Sequence, residues 1–236
     1  MPARHLKSRL RSAAAETAAQ SCDNPAPVEP WYWSALKTVA QNNHAGRWKP
    51  GRYFLRSSIP LDLSGWLLDT ASLTLRLQRL CPGKFQVRVL SQAWGTPRID
   101  EARVLDIKPG RVAIIRQVHL LCDGQPWVYA RTVIPVTSLR GKLQRLAHLG
   151  TRPLGGMLFA DPGMQRGGVE LARIGRGQSL YRAATCHQRQ RPAAIWGRRS
   201  VFRLSGRPLL VSEVFLPGFP AGSPPAPCWR SSGMKL

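Results

Sequence analysis

Acidic residues are scarce in this sequence. Its 236 residues include 12 Asp and Glu against 35 Lys and Arg, a formal net charge of +23 at neutral pH. An excess of this size ordinarily suggests a polyanionic partner. Here, however, 28 of the basic residues are Arg and only 7 are Lys, and no basic run exceeds the pair Arg198-Arg199, whereas nucleic-acid-binding arms carry clustered charge. We therefore expect affinity for small anions and no nucleic-acid partner.

The sequence also lacks a long apolar run. The densest stretch, residues 111–122, is interrupted by Arg116, Gln117 and His119, and it is shorter than the 18 or more residues that a membrane-spanning helix needs. We therefore expect a soluble, cytoplasmic protein without stable membrane insertion. An apolar content of 43% with eight Trp is enough for the core of a domain of this length, so the chain as a whole is not disordered.

Closely spaced cysteines are absent. The cysteines are odd in number and far apart, and none belongs to a CxxC pair: Cys22, Cys81, Cys122, Cys186 and Cys228. Disulfide frameworks and zinc sites normally show close or regular spacing. The sequence therefore predicts reduced thiols and no metal site.

The two ends differ from the middle. Residues 1–22 are rich in Ala, Ser and Arg, which is typical of a transit peptide but equally of a flexible leader or a misassigned start codon. After Pro217 a Pro- and Gly-rich segment can neither pair in a sheet nor continue a helix. We predict a flexible leader over 1–50, one folded domain over 51–217 and a disordered tail over 218–236.

Strand patterns dominate the middle. Gly124 and Gly206 separate consecutive runs as in tight hairpins, so adjacent strands should be antiparallel. Helical patterns occur over 67–80 and over 137–149, with Gly150 placed to end the second. The fold class is therefore predicted as α+β, a single domain with an antiparallel β-sheet flanked by helices. The β-branched or aromatic runs are 84–92, 111–122, 125–135, 168–174, 195–204 and 208–217.

The two predicted hairpins resemble each other. In both, Pro follows the turn glycine after two residues and again after eleven. The seventh residue after the glycine is Arg131 in the first hairpin and Glu213 in the second, so we expect these two charged residues at equivalent strand positions. Coincidence and an internal duplication both remain compatible with the match.

Two charged residues interrupt apolar strands. Glu213 is the only carboxylate side chain after position 170, and a buried carboxylate must be hydrogen-bonded or paired. Glu213 is therefore either a structural partner of an arginine or a functional group. Arg116 shares a strand face with Val112 and Ile114, and a buried cation there needs an anion from the protein or from a ligand. The residues alone leave these alternatives open.

Four motifs, matching in order over about residues 64–217, resemble the chorismate-pyruvate lyase family of ubiquinone biosynthesis. The resemblance implies a chorismate lyase-like fold and a monomeric, cofactor-free enzyme. It also implies that the substrate chorismate is converted into 4-hydroxybenzoate and pyruvate in a pocket closed by helical flaps. The motifs are RQVHLLCDGQPWVYARTVIP at 116–135, LGTRPLG at 149–155, IWGRRS at 195–200 and LSGRPLLVSEVFLP at 204–217.

The same resemblance implies the site residues. The family's carboxylate-binding arginine falls on Arg116, and its carboxylate near the phenolic oxygen falls on Glu213, the catalytic candidate. Main-chain contacts to the substrate fall on Leu154 and on Leu73, where some relatives carry Met. Glu213 could act as an acid, as a base or by orienting the 4-hydroxyl group, and the sequence does not choose among these roles.

Two other functions are compatible with the sequence. The fold resembles the ligand-binding domain of a class of transcription regulators, which would make this chain a small-molecule sensor without catalysis. The Pro-rich first 60 residues do not show the pattern of a winged helix-turn-helix. The net charge alone suggests a polyanion-binding protein. Formation of 4-hydroxybenzoate from chorismate distinguishes the lyase from both.

Overall fold

An eight-stranded sheet forms the centre of the structure, a computed structural model that describes residues 48–188 and 191–222. The strands are β1 (Lys49–Pro50), β2 (Phe85–Gly95), β3 (Ala113–Cys122), β4 (Gln125–Pro135), β5 (Gln165–Arg166), β6 (Glu170–Gly175), β7 (Ala194–Leu204) and β8 (Arg207–Phe215). They pair in the order β1-β6-β7-β8-β4-β3-β2, and β5 pairs with β7. These pairings are all antiparallel, which confirms the predicted fold class.

Short helices accompany the sheet. The described residues contain the α-helices α1 (Leu61–Leu67), α2 (Leu73–Leu80), α3 (Ile99–Val104), α4 (Leu154–Phe159) and α5 (Ser179–Thr185), and the 3-10 helices Gly51–Tyr53, Arg56–Ser58, Val136–Ser138 and Gly141–His148. None of these helices is long and apolar enough to cross a membrane.

Both predicted helical segments differ from the expectation. The segment 67–80 is helical only over 73–80, because α1 ends at Leu67 and a new helix begins after Ser72, whose hydroxyl accepts a hydrogen bond from the Leu75 N–H. The segment 137–149 is 3-10 rather than α-helical. It is interrupted at Leu139 and Arg140, where the backbone of Arg140 is extended (φ −127°, ψ 150°), and the second 3-10 helix then begins at Gly141 with φ 56°, outside the right-handed helical region. Gly150, at φ 55°, ends the segment as predicted.

The two predicted hairpin turns are confirmed. Asp123 and Gly124 have φ values of 48° and 79°, and Ser205 and Gly206 have φ values of 49° and 75°. Positive φ at both central residues matches the right-handed twist of the flanking strands. Each turn therefore joins its two strands without an extra loop.

A β-bulge distinguishes the two hairpins. In the β3–β4 pair, Leu121 faces Pro126 but Leu120 faces Val128, so Trp127 is an extra residue on β4. The β7–β8 pair has no such shift. A one-residue insertion turns every later side chain of the strand to the opposite face of the sheet.

The bulge overturns the predicted equivalence of Arg131 and Glu213. Thr132, not Arg131, lies opposite Arg116, in the position that Glu213 holds opposite Arg198. Arg131 consequently projects from the other face of the sheet. A gapless overlay of the two hairpin sequences cannot detect this change, because the extra residue lies between the turn and the charged position.

The order of elements nevertheless occurs twice. The sequence α2-β2-α3-β3-β4 is followed by α4-β5-β6-α5-β7-β8, and β4 and β8 pair at the middle of the sheet. Apart from the additional two-residue strand β5, each half therefore places a helix before a strand, a second helix and a hairpin. This repetition supports an internal duplication rather than coincidence.

Arg131 is part of a buried ion-pair network on the face away from α2. Glu101 in α3 is fully buried, and its two oxygens accept hydrogen bonds from Arg131 Nε at 2.7 Å and Nη2 at 3.0 Å. Arg98 donates a third bond, at 2.7 Å. Burial alone raises the pKa of Glu101, but the hydrogen bond and charge of Arg131 and those of Arg98 bring it below its ordinary value.

Two apolar residues outside the predicted 51–217 domain contact the core. The ring of Trp48 lies 4.8 Å from the Arg199 guanidinium. Phe219 is only 6% exposed, and its ring makes edge contacts with those of Trp66 and Phe215, both at 5.0 Å. We therefore propose that the folded domain extends at least from residue 48 to residue 219. The rest of the predicted leader and tail, 1–47 and 223–236, lies outside the described residues.

The prediction that all thiols are reduced is wrong for one pair. Cys81 and Cys122 form a disulfide, with their Cα atoms 5.6 Å apart. They are separated by 41 positions in the sequence. Phe85, which follows shortly after Cys81, pairs with Cys122 in the sheet, and this pairing brings the two cysteines together. Asp123 lies within 4.8 Å of both sulfurs, but a disulfide offers no thiolate to a metal ion. Cys22 and Cys228 lie outside the described residues.

Replacement of Phe219 tests the extended domain boundary. Because its ring is buried among aromatic neighbours, we expect Phe219→Ala to lower the free energy of unfolding by about 3–5 kcal/mol. Leu61→Ala is the control, since that side chain is 86% exposed, and its effect should stay within about 0.5 kcal/mol. Denaturant titration measures both. Equal, small effects would place residue 219 outside the folded domain.

Reduction tests the disulfide. Closing a loop of this length typically stabilises a protein by about 2–4 kcal/mol, so dithiothreitol should lower the melting temperature of the wild-type protein. A Cys81→Ala/Cys122→Ala variant should melt at the same temperature with and without reductant. If the wild-type protein is also insensitive to the reductant, the two cysteines are not bonded in solution.

Candidate functional site

A cavity, here called the sheet pocket, lies between the sheet and the first residues of α2 and α4. Together with the solvent-open space at its mouth, the cavity has a volume of about 540 Å³. The helical side is formed by residues 72–74 and 153–155. The sheet contributes Val87, Arg116, Val118, Leu120, Ala130, Thr132, Phe202, Val211 and Glu213.

The structure brings all four sequence-predicted site residues to this pocket. Arg116 and Glu213 lie on the sheet side, and Leu73 and Leu154 lie on the helical side. Alternation along the strands places Arg116 on the same face as Val118 and Leu120, so the cation is surrounded by apolar side chains. The pocket therefore combines a charged floor with walls suited to a hydrophobic ring.

Arg116 is a buried cation without a carboxylate partner. It is 2% exposed, and none of the acidic residues in the described ranges forms an ion pair with it. Its hydrogen bonds go to neutral oxygens, from Nη1 to Gln92 Oε1 at 2.8 Å and from Nη2 to the Arg152 carbonyl at 3.4 Å. Burial lowers the pKa of Arg116. An arginine in a protein nevertheless stays protonated, so the positive charge is available to an anionic ligand.

Gln92 orients this guanidinium. Its Oε1 accepts from Arg116, and its Nε2 donates to the Ala147 carbonyl at 2.5 Å. With both ends of the amide engaged, Gln92 presents its oxygen, not its nitrogen, to Arg116. Sequence analysis missed Gln92, because its importance comes from facing Arg116 across the β2–β3 pair, beyond a register shift that no residue pattern shows.

Glu213 is both paired and part of the pocket. Its Oε2 accepts a hydrogen bond from Arg198 Nε at 2.6 Å. Oε1 has no hydrogen-bond donor among the described residues. The structural ion pair and the functional group, which the sequence left as alternatives, are therefore compatible. Arg198 itself is 1% exposed, and sequence analysis noted it only as half of a basic pair.

Leu73 and Leu154 each stand at the first position of a helix. Ser72 is the N-cap of α2 and Pro153 is the N-cap of α4. The first N–H groups of a helix have no partner within the helix, which agrees with the main-chain contacts that the resemblance implies for these residues. Those contacts stay predictions.

The two helix starts approach each other closely. A Cβ added at Gly155 would lie 2.7 Å from Thr74 Oγ1, a distance too short for any side chain at this position. The absence of a side chain at Gly155 thus lets α4 pack against α2 over the pocket. Two segments far apart in sequence form one roof for this reason.

Comparisons with known proteins agree with this geometry. The family model described as chorismate lyase matches residues 47–220. A protein of Azoarcus sp. (strain BH72) named "Probable chorismate pyruvate-lyase" is 47% identical over 159 residues, which covers 66% of this chain and 84% of that protein. A protein of the same name from Halorhodospira halophila is 41% identical over 179 residues, which covers 76% of this chain and 94% of that protein.

Solved structures show more distant similarity. A transcriptional regulator of the GntR family from Bacillus cereus superimposes with a TM-score of 0.44 at 13% sequence identity, covering 57% of this chain and 93% of that chain.

Proposed function

The chain belongs to the chorismate lyase family, and from this premise we propose that it cleaves chorismate to 4-hydroxybenzoate and pyruvate in the sheet pocket. The observation that carries the assignment of the site is the buried, unpaired cation of Arg116 on the same floor as Glu213. A guanidinium is a planar fork that matches a carboxylate. The substrate is a dianion, and its ring carboxylate supplies the anion that Arg116 lacks.

The reaction needs little covalent participation from the protein. The bond between C3 and the ether oxygen breaks, its electron pair leaves with the enolpyruvyl group, and the hydrogen on C4 is lost. The electrons of the C4–H bond complete the aromatic ring, the C4 hydrogen departs as a proton, and the enolate takes up a proton on its methylene carbon to give pyruvate. The protein has to hold the substrate in the conformation from which both groups can leave, exclude water and stabilise charge on the ether oxygen. The apolar walls and the α2–α4 roof serve the first two tasks.

We assign Glu213 an orienting role. Its Oε2 accepts a charge-assisted hydrogen bond from Arg198, and a carboxylate held by a guanidinium is a poor proton donor. Its Oε1 can accept a hydrogen bond from the 4-hydroxyl group. This contact fixes the ring at the end opposite the carboxylate bound by Arg116. Two polar anchors then define one orientation of the substrate between apolar walls.

The remaining properties of the protein are proposals that follow from this chemistry. Arg116 can bind the substrate anion by itself, so no cofactor is required for binding. We propose a cytoplasmic monomer without a nucleic-acid partner, whose product enters ubiquinone biosynthesis. A disulfide is unusual in a reducing compartment. The redox state of Cys81 and Cys122 in cells is therefore a test of that location.

Direct measurement of the products tests the proposed activity. Purified protein incubated with chorismate should form 4-hydroxybenzoate and pyruvate in equal amounts, followed by absorbance and by a lactate dehydrogenase assay. The spontaneous decay of chorismate in buffer is the baseline. Product formation no faster than this baseline would overturn the proposed function.

Arg116→Ala tests the anion site. Loss of a partly buried carboxylate pair typically weakens binding by about 2–5 kcal/mol, so calorimetry should show a large loss of affinity for 4-hydroxybenzoate. The melting temperature should change much less than the affinity, because no protein carboxylate loses a partner and only the neutral oxygens of Gln92 and Arg152 lose a donor. Arg116→Lys should recover only part of the affinity, since an ammonium group cannot form the bidentate contact. Near-normal affinity in the Ala variant would remove Arg116 from the site.

Glu213→Gln tests the second anchor. The amide keeps the shape of the side chain but leaves the charge of Arg198 without its counterion, so we expect stability to fall by about 1–3 kcal/mol. Turnover should also fall, when measured well below the melting temperature, because the amide cannot provide the negative charge that holds the 4-hydroxyl group. A lower melting temperature with turnover within about twofold of wild type would leave Glu213 a structural partner only.

A further inference from the structure

We propose that Arg198 is a positioning residue that couples Glu213 to the position of α2, so that the pocket carboxylate and the roof over it act together. This inference deepens the proposed function and rests on it. The juxtaposition that carries it is one buried guanidinium shared between a pocket carboxylate and the backbone of the segment that leads into α2.

Three hydrogen bonds define the position of Arg198. Its Nε donates to Glu213 Oε2 at 2.6 Å, and its Nη1 donates to the carbonyls of Trp66 and Asp69, both at 2.7 Å. Trp66 lies in the last turn of α1, and Asp69 lies in the connector, residues 68–72, between α1 and α2. Residues 72–74, at the end of the connector and the start of α2, line the sheet pocket. Arg198 thus links the floor of the pocket to the start of its roof.

Two other arginines hold the same connector. Arg166 Nη1 donates to the Thr70 carbonyl at 2.6 Å, and Arg76 forms an ion pair with the Asp69 side chain. Neither donates a hydrogen bond to Glu213 within the described ranges. A displacement of the connector and α2 from the sheet must therefore break or stretch the contacts of Arg166 and Arg198, whereas Arg76 lies in α2 and moves with it. Only the contacts of Arg198 extend to the carboxylate at the site of reaction.

The duplication explains why two similar arginines have different partners. Arg116 on β3 and Arg198 on β7 occupy equivalent positions of the two hairpins, opposite Thr132 and Glu213 respectively. The neutral Thr132 leaves the charge of Arg116 available to a ligand. Glu213 neutralises Arg198, whose remaining donors bind backbone carbonyls. One position of the fold therefore provides a substrate-binding cation in one half and a positioning cation in the other.

Coupling has a physical basis in the shared guanidinium. The N–H donors of one guanidinium polarise one another, so a change in the negative charge of the carboxylate bound at Nε alters the strength of the hydrogen bonds that Nη1 donates. When Glu213 shares its charge with the 4-hydroxyl group of the ligand, Arg198 shifts toward the two carbonyls, and the connector is held more firmly. The roof is thereby secured when the ring is correctly placed.

A double-mutant cycle on kcat with chorismate tests the coupling. We expect Arg198→Lys and Glu213→Gln each to lower kcat by at least roughly tenfold. The kcat of the double variant should lie no more than about threefold below that of the less active single variant. Arg166→Lys is the matched control, since it disturbs a hydrogen bond to the connector, has no hydrogen bond to Glu213 and keeps the positive charge that interacts with Glu213. In the double variant, the fold-losses of kcat caused by Arg166→Lys and Glu213→Gln should multiply. A multiplicative effect of Arg198→Lys with Glu213→Gln would overturn the proposal.

Hydrogen exchange gives a readout that a merely structural role would not change. Saturating 4-hydroxybenzoate should slow amide exchange in residues 68–72 of the wild-type protein by about tenfold or more. This slowing should be lost in Glu213→Gln, which retains Arg198, and retained in Arg131→Lys, which weakens a buried ion pair on the other face. The exchange measurement on Glu213→Gln decides whether Glu213 is coupled to the connector, even if Arg198→Lys fails to fold. Retained slowing in Glu213→Gln would overturn the coupling.

The two hypotheses fail differently. If the wild-type protein does not turn over chorismate, the proposed function is wrong. If it does turn over chorismate, but the cycle is multiplicative and exchange in the connector does not depend on Glu213, the proposed function stands and Arg198 is only a structural partner of Glu213.

Discussion

The site depends on one costly arrangement, a guanidinium buried in an apolar pocket without a carboxylate of its own. Removing a charge from water without a counterion is strongly unfavourable, and the protein offsets only part of that cost through the Gln92 side chain and the Arg152 carbonyl. We propose that an anionic ligand supplies the missing partner. Burial of Arg116, the orientation of Gln92 and the close packing at Gly155 all keep this charge away from water and accessible to a small acid.

The duplicated architecture accounts for how one sheet provides both ends of the site. The halves meet at β4 and β8, so their equivalent arginines lie on the same face. The bulge at Trp127 then makes the halves chemically different, because it places Thr132 opposite Arg116 while Arg131 joins Glu101 on the other face. A register shift of one residue thus leaves Arg116, which we propose to bind the ligand, without a charged neighbour on β4, and pairs Arg131 with Glu101 instead.

Much of the fold could be predicted from the sequence, because period-two patterns and positive-φ turns are local properties. The bounds of β4 are those predicted, 125–135, and the other long strands begin and end within a few residues of the expectation. Nonlocal features were missed. The Cys81–Cys122 bond depends on two strands meeting, and the burial of Phe219 depends on a cluster assembled from three other segments. The helix predicted over 137–149 was wrong because an amphipathic pattern does not reveal the positive φ of Gly141.

The site was predicted in the same uneven way. Arg116 and Glu213 were identifiable because each is a charge inside an apolar strand, and Leu73 and Leu154 came only from the family resemblance. Gln92 and Arg198 could not be found, since a neutral amide and one of many arginines become informative only when their partners across the sheet are known.

The most direct measurement for this account is a crystal structure of the protein with bound 4-hydroxybenzoate. The account predicts the carboxylate of the ligand within hydrogen-bond distance of the Arg116 guanidinium and the hydroxyl group at Glu213, with the ring between the apolar walls. A ligand bound in the reverse orientation, or bound outside the sheet pocket, would contradict the claim that the unpaired charge of Arg116 is the substrate anchor.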